Sequence, residues 1–457
     1  MEGCTAASRF AIRYIFRGGL RISSTIRFLK SRNFSSNAGL ARAHAKLMPT
    51  LTLPDSRTRT PARVLTALLA VAASGCGSGG GDSTPAVSTI VNPPAAQQNP
   101  TPAGVTAFLN VDFANLENYA NPALPAHYDA SLAPLDNQPN GVAISNRVAT
   151  LGRVLFYDRR LSVNNAVSCA SCHQQTAGFG DRTRFSAGFS GVAFTSAHGM
   201  RIGNVRYYRP GSMFWDKRAA TLEAQATQPI QNEIEMGWTA AAGGIPALIN
   251  KMSSTSYYAD LFTLAFGDAA VTESRIQTAL AQFERAMVSA GSKWDSGYAS
   301  VFSATAPNRN LNVDLPNFTT EENRGRLLFM NSRANGGLDC AACHVPPTFA
   351  LAANSDSNGL DAGETRIFKS PSLKNVAAGG PYMHDGRFST LEEVVEHYNS
   401  GVRVGPALDN RLRVGQGAQP RQLNLSPQDK AALVAFLRTL DDASFLNDSK
   451  FGNPFKQ

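Results

Sequence analysis

The chain has 457 residues, 43% of them hydrophobic and 17% charged, which is enough apolar material for the cores of about two or three domains. Its formal charge of +9 comes from the N-terminal part, because residues 1–75 hold 12 Lys and Arg but only 2 Asp and Glu. The other 31 basic and 32 acidic residues nearly balance, which argues against a nucleic-acid-binding protein.

Residues 1–76 are predicted to form a leader region. Arg57, Arg59 and Arg63 precede the apolar run VLTALLAVAA, which is too short to cross a bilayer and is typical of a secretory signal. Cys76 follows small residues, and this pattern resembles a bacterial lipoprotein signal in which the cysteine is lipidated. An ordinary signal peptide cut nearby is the alternative. We therefore expect export to the periplasm, with a lipid anchor at Cys76.

Residues 77–103 are predicted to be a flexible linker. They consist largely of Gly, Ser, Pro, Thr and Gln and contain few large apolar side chains. Such a segment cannot bury enough surface to offset the entropy cost of ordering it.

Two six-residue segments, SCASCH at 168–173 and DCAACH at 339–344, share one pattern. Disulfides, a redox cysteine pair or a four-cysteine zinc site would explain the cysteines but not the histidine that follows each pair. A c-type haem explains every position, because two cysteines can form thioethers to its vinyl groups while the next histidine binds the iron. The motifs therefore predict two covalently bound c-type haems, attached at Cys169, Cys172, His173, Cys340, Cys343 and His344.

The sequence around the two motifs also repeats. GRVLFYDRRLSVNNAVSCASCH, from Gly152 to His173, is echoed by GRLLFMNSRANGGLDCAACH, from Gly325 to His344. The repeat predicts an internal duplication and a mostly α fold with two cytochrome-c-like haem domains. We place the N-terminal haem domain at residues 104–313 and the C-terminal one at residues 314–457.

Two segments between and after the motifs predict helices. SRIQTALAQFERAMVSA spaces four apolar residues three or four positions apart, as on one face of a helix; they are Ile276, Leu280, Phe283 and Met287. SPQDKAALVAFLRTL begins with Ser426 as a predicted N-cap, Pro427 at the first helical position and Asp429 as a capping acid.

The order of motifs resembles a known family. CxxCH, FWDxRAxxLExQxxxPIxxxxEMG, a second CxxCH and FKSPSLKNVAAGGPYMHDG follow one another between about residues 145 and 440. This arrangement resembles the bacterial di-haem cytochrome c peroxidase family, including its MauG-type branch.

The resemblance implies roles for four residues in the FWDxRA segment. Trp215 matches a tryptophan that relays electrons between the haems, although a core tryptophan is the simpler interpretation. Gln225, Pro229 and Glu235 match residues over the open face of the peroxide-binding haem, which is the one ligated by His173. A carboxylate there can move a proton between the peroxide oxygens, an amide can hold peroxide by hydrogen bonds, and proline can shape the pocket.

The resemblance also concerns the second haem, ligated on one side by His344. Classical members place a methionine on the other side and the MauG branch a tyrosine, and here Tyr398 stands at that position in TLEEVVEHYNSG. Met383 is the rival ligand, and a tyrosine that merely ends a helix is the third interpretation. A phenolate favours higher oxidation states of iron, whereas a thioether favours ferrous iron.

The remaining histidines give weaker indications. His127 is predicted to lie on the surface, and His384 and His397 near the second haem. His198 is an alternative ligand of the first haem. The family often binds calcium near the SPSL stretch through an asparagine, and here His198 or Gly199 takes that asparagine's place. Calcium therefore stays open, with no ligands assigned.

These features together predict a periplasmic di-haem peroxidase. It would reduce hydrogen peroxide with electrons that a small redox protein, a cytochrome c or a cupredoxin, delivers to the C-terminal haem. Peroxide-dependent oxidation of a protein substrate, as in the MauG branch, is one alternative. A di-haem electron-transfer lipoprotein is the other, but it would not need Glu235 and Gln225.

Overall fold

The computed structural model describes residues 104–209, 211–415, 417 and 419–456. The predicted leader, the linker and Cys76 lie outside the described residues. The described chain is mostly helical, as predicted, and its α-helices run in this order: α1 Asn146–Tyr157, α2 Cys169–Cys172, α3 Leu222–Ala226, α4 Gln228–Gln231, α5 Gly244–Ser253, α6 Ser256–Phe266, α7 Glu273–Ala286, α8 Lys293–Val301, α9 Thr320–Met330, α10 Leu391–Glu396, α11 Pro427–Arg438 and α12 Ala443–Asn447.

Extended structure is sparse. Strand β1, His344–Val345, pairs antiparallel with β2, Ala350–Leu351, and isolated bridges make up the rest of the extended pairing described. Both predicted helices form, and the Ser426 side chain caps α11 by accepting a hydrogen bond from the Asp429 N–H. Across the described ranges, no helix is long and apolar enough to span a membrane.

The first half of the described chain is built around the crossing of α1 and α7. A Cβ atom at Gly152 in α1 would overlap the Ala279 carbonyl oxygen in α7, so the two backbones touch at this glycine. One turn further along, Phe156 and Phe283 pack with their ring centroids 5.5 Å apart. This contact forms the centre of the larger apolar core.

The second half repeats this arrangement with α9 and α11. A Cβ atom at Gly325 would overlap the Ala432 carbonyl oxygen, and the Phe329 and Phe436 rings lie 5.2 Å apart. These residues belong to a second, separate apolar core. Each half therefore uses a glycine to bring its two main helices into backbone contact.

Each half also contains one turn further along the chain, and the two turns match. A bridge joins Met213 to Ala219 in one turn and Tyr382 to Phe388 in the other. The residue after the first bridge partner has positive φ in both, 67° at Phe214 and 73° at Met383. Trp215 and His384 follow these residues and therefore occupy corresponding places.

The end of the chain returns to the first half. Phe445 and Phe451 are buried in the core around α1 and α7. Arg153 in α1 donates hydrogen bonds to the carbonyl oxygens of Gly452 and Ser449, at 2.7 and 2.6 Å. Residues beyond the second CxxCH motif thus complete the core beside the first.

The surface position predicted for His127 is wrong. The residue is 1% exposed, and its Nε2 lies 3.3 Å from Asp295 Oδ1. Lys374 is also buried and pairs with the same carboxylate. The short segment around His127 shows no periodicity that would have revealed this partner, because the carboxylate comes from a distant helix, α8.

We expect Gly152→Ala and Gly325→Ala each to destabilise the protein by about 1–3 kcal/mol, because the added methyl group would push two packed helices apart. Gly203→Ala is the matched control, since its Cβ would meet its nearest atom at an ordinary 3.5 Å. The urea unfolding midpoints of the three haem-loaded variants test this. Equal midpoints would show that neither crossing needs a glycine.

Candidate functional site: two CxxCH sites and the segment between them

The first CxxCH motif lies on the four-residue helix α2. Ser168 begins it, and the Ser171 side chain accepts a hydrogen bond from the Ser168 N–H in a capping box. Residues three apart on a helix lie on one side, so Cys169 and Cys172 project together. All four cysteines of the described ranges are free, and no group of three or more His, Cys, Asp or Glu residues there could hold a metal ion.

His173 is oriented by a hydrogen bond from its ring. Its Nδ1 lies 3.0 Å from the Phe179 carbonyl oxygen, and because a carbonyl only accepts, Nδ1 carries the proton. Nε2 is thereby left as the nitrogen that can bind a metal. Burial lowers the pKa of His173, which keeps the ring neutral as metal binding requires.

Glu235 is a half-buried carboxyl group near the first motif. Burial raises its pKa, and the Arg218 guanidinium offsets this only in part. Burial is also the main cause that raises the pKa of the Cys169 and Cys172 thiols, and the charge of Glu235 contributes to both. The predicted proton-transfer residue therefore lies within electrostatic reach of the predicted haem attachment points.

Gln225 and Pro229 lie on consecutive short helices that lead to Glu235. Gln225 is in α3 and Pro229 in the first turn of α4, where its missing N–H costs no helical hydrogen bond. Ala226 and Ile230, next to them in sequence, are buried in the first core and fix these helices. Gln225 and Pro229 themselves are half-buried.

The second motif opens into a cavity. Its wall includes Cys340, Cys343 and His344, and also both candidate ligands, Tyr398 and Met383. His384, also predicted near the second haem, lines this cavity too, whereas His397 is not part of its wall and its Nε2 lies 3.2 Å from the Asn358 carbonyl oxygen.

Tyr398 lies in a π-helical turn, His397–Gly401, that directly follows α10. Such turns are rare and often occur at functional sites. Burial raises the pKa of Tyr398 to about 12, and a hydrogen bond with Asn358 partly offsets this effect. Asn358 Nδ2 also lies 3.4 Å from Met383 Sδ, so one amide links the two candidate ligands.

His344 differs from His173 in its ring contacts. Its Nδ1 is buried without a hydrogen-bond partner among the described residues. Burial lowers its pKa to about 4, and the nearby Arg411 guanidinium acts in the same direction. The ring packs against Phe329 at 6.3 Å, as that of His173 packs against Phe156 at 6.5 Å.

Trp215 lies on the segment that connects the two motifs, and its side chain lines the cavity at the second motif, which we call the second cavity. Its Nε1–H donates to the His198 carbonyl oxygen at 2.8 Å, and its own carbonyl accepts from the Lys369 N–H at 2.7 Å. The His384 ring lies 6.3 Å away in an edge-to-face arrangement. His198, the alternative ligand of the first haem, lines the second cavity with Trp215.

Two buried titratable residues were missed in the sequence: Lys369, whose backbone contacts Trp215, and Glu284, which lies within electrostatic reach of Lys369. Burial raises the pKa of Glu284 to about 8 and lowers that of Lys369 to about 8, and each charge partly offsets the effect on the other. Glu284 interrupts the apolar face of α7 within FERA, which is the one signal that could have indicated it. Lys369 follows a phenylalanine in FKSPSL and carries no comparable signal.

Each motif therefore presents two free thiols and a neutral, half-buried histidine, a donor set that fits a c-type haem. Residues 146–300 match the family model of the di-haem cytochrome c peroxidases. The chain is 31% identical over 321 residues to the methylamine utilization protein MauG of Methylorubrum extorquens, with 66% of this chain and 80% of that protein covered. The chain belongs to the di-haem cytochrome c peroxidase family.

Other relatives agree with this assignment. Cytochrome c551 peroxidase of Nitrosomonas europaea is 32% identical over 304 residues, covering 64% of this chain and 79% of that protein. Among solved structures, a MauG-like protein associated with microbial copper homeostasis superposes with a TM-score of 0.59 at 28% identity, over 73% of this chain and 99% of that one. The family implies two haems and makes the protein a peroxidase-type oxidoreductase.

Proposed function

We propose that this di-haem peroxidase reduces hydrogen peroxide at the N-terminal site, with electrons that enter through the C-terminal site. The observation that supports this best is the half-buried Glu235, whose charge acts on both cysteines of the first CxxCH motif. A protein that only transfers electrons has no need for a carboxyl group there. A haem bound to Cys169, Cys172 and His173 supplies the iron that binds peroxide and exchanges electrons.

Glu235 is the proton-transfer residue in this proposal. Its carboxylate takes the proton from one peroxide oxygen and returns it to the other as the O–O bond breaks. With two electrons and two protons from outside, each peroxide gives two water molecules. The raised pKa of Glu235 supports this role, because a carboxyl group with a pKa nearer to neutral both accepts and releases protons readily.

The neighbouring residues position the substrate and connect the two sites. Gln225 holds peroxide through hydrogen bonds without adding charge, and Pro229 limits the space beside it. Trp215 relays electrons from the second site, and its hydrogen bond with the His198 carbonyl oxygen supports a fixed orientation.

We also infer that the two haem domains arose by internal duplication. The matching crossings at Gly152 and Gly325 and the matching turns at Trp215 and His384 support this origin. A small cytochrome c or cupredoxin is the proposed electron donor in the periplasm, with the protein tethered through a lipidated Cys76. Calcium has no assigned ligands.

Peroxide-dependent oxidation of a protein substrate is the second candidate function. It is favoured by Tyr398, which lines the same cavity as His344. By the resemblance, this tyrosine stands at the position of the tyrosine ligand of the MauG branch. Relatives named MauG and relatives named cytochrome c peroxidase match this chain at similar identity. We therefore use the side chain that binds the second iron opposite His344 to distinguish the two functions.

We expect the intact mass of protein matured in a host with haem-attachment machinery to exceed the polypeptide mass by two haems. Replacing both Cys340 and Cys343 with Ser should remove one haem mass, and the same change at Cys169 and Cys172 should remove the other. Four titratable thiols in the matured wild-type protein would contradict covalent attachment.

Glu235→Gln should retain both haems but slow peroxide turnover about 100-fold or more, the usual effect of losing an acid–base group. Glu233→Gln, an exposed neighbour, is the control and should keep wild-type turnover. Because burial raises the pKa of Glu235, wild-type kcat/KM should fall as pH drops through a value above the usual glutamate range. Turnover in Glu235→Gln within twofold of wild type would exclude this role.

Tyr398→Phe should change the absorption spectrum of the second haem and raise its midpoint potential, because a phenolate stabilises ferric iron. Met383→Leu tests the rival ligand from the same cavity and should leave both properties unchanged. The reverse pattern would make Met383 the ligand, as the resemblance implies for the classical peroxidases, and would remove the support for the second candidate function.

A further inference from the structure

Arg201 lies between the two sites with its charge buried. It is 9% exposed and lines the second cavity. Its Nη1 donates to the Gly379 carbonyl oxygen at 3.1 Å, and its guanidinium carbon lies 5.6 Å from the centroid of the Tyr382 ring. Tyr382 also lines this cavity, so the guanidinium reaches the second site.

Arg201 lacks an anionic partner within the described ranges. It forms no ion pair there, and its Nε–H is buried without an acceptor. Asp441 raises the pKa of Arg201 at longer range, but burial outweighs this and lowers it. Oδ1 of the Asp441 carboxylate instead accepts a hydrogen bond from the Ala377 N–H at 2.9 Å. Burying a cation without a counter-charge is unfavourable, so buried charges in proteins are usually paired with an anion.

The fold holds the stem of Arg201 in a fixed place. A Cβ atom at Gly180 would lie 2.6 Å from its Cγ, and one at Gly178 would lie 3.2 Å from its Cδ. The next residue, Ile202, donates its N–H to the Phe179 carbonyl oxygen at 3.3 Å, and this oxygen also accepts from His173. The loop that orients His173 therefore also aims Arg201 towards the second cavity.

We infer that Arg201 binds a carboxylate side chain of the porphyrin at the second site. This inference rests on the proposed haem at Cys340, Cys343 and His344. The porphyrin brings the carboxylates that the described residues do not supply, and a guanidinium can hold one through two parallel hydrogen bonds. Arg201 is thus a positioning residue, whose charge also stabilises the reduced form of the iron.

Arg421 provides a matched comparison. It lines the same cavity, and its Nε–H also lacks an acceptor among the described residues. It is only half-buried, however, so water can solvate its charge. Burial, rather than the presence of an arginine in the wall, is what distinguishes Arg201.

The experiment compares haem-loaded wild type, Arg201→Gln, Arg201→Lys and Arg421→Gln. In Arg201→Gln, the ratio of reduced to oxidised second haem at a fixed electrode potential should fall at least tenfold, a shift of about 59 mV for one electron. The propionate bending band in the resonance Raman spectrum should also shift. Arg201→Lys should keep most of the potential but alter the band, and Arg421→Gln should change the ratio less than threefold.

Each outcome has a definite meaning. Wild-type potential and Raman band in Arg201→Gln would overturn the inference, and so would a change in potential without a change in the band. A larger effect from Arg421→Gln would transfer the role to Arg421. If Arg201→Gln does not yield haem-loaded protein, an unchanged propionate band in Arg201→Lys is sufficient to refute the inference. A wild-type protein whose intact mass includes no haem at the second motif would instead refute the proposed haem site.

Discussion

The contact of two helix backbones at a glycine is the constraint on which both halves of the structure depend. At Gly152 it lets Phe156 and Phe283 meet, and Phe156 in turn packs against Phe179 and the ring of His173. Because protein interiors are close-packed, a change in helix spacing would be transmitted directly to the histidine. The second half solves the same problem with the same residue types, from Gly325 to His344.

Much of this could be predicted from short sequence patterns. The spacing within CxxCH identified the motif residues, and helical periodicity and capping identified α7 and α11. The partners of buried charges could not be predicted this way. The His127 ring pairs with Asp295, and the aliphatic stem of Arg201 packs beside Gly178 and Gly180. These residues are too far apart in the sequence for a local pattern to reveal the contacts. The roles of Glu235 and Trp215 depended on family resemblance, since single glutamates and tryptophans carry no signal of their own.

Three titratable groups are buried at or beside the cavity of the second motif, because Arg201 and Lys369 line it and Glu284 lies within electrostatic reach of Lys369. Glu284, Lys369 and Arg201 are all buried there, and none forms an ion pair in the described part of the chain. In a medium of low polarity, charges act over longer distances than in water. Burial brings the pKa values of both Glu284 and Lys369 to about 8, so their protonation states affect which site holds an electron along the proposed path past Trp215.

The return of the chain's end to the first core has a consequence for biogenesis. Phe445 and Phe451 fill that core, and Arg153 binds the carbonyl groups of residues 449 and 452. The core of the first half therefore cannot be completed until residues 445–452 have been synthesised and have folded back onto it. Contacts between such distant parts of a chain form slowly. Cys169 of the first CxxCH motif packs against this core, so the proposed haem attachment site acquires its final surroundings only after these C-terminal residues have docked.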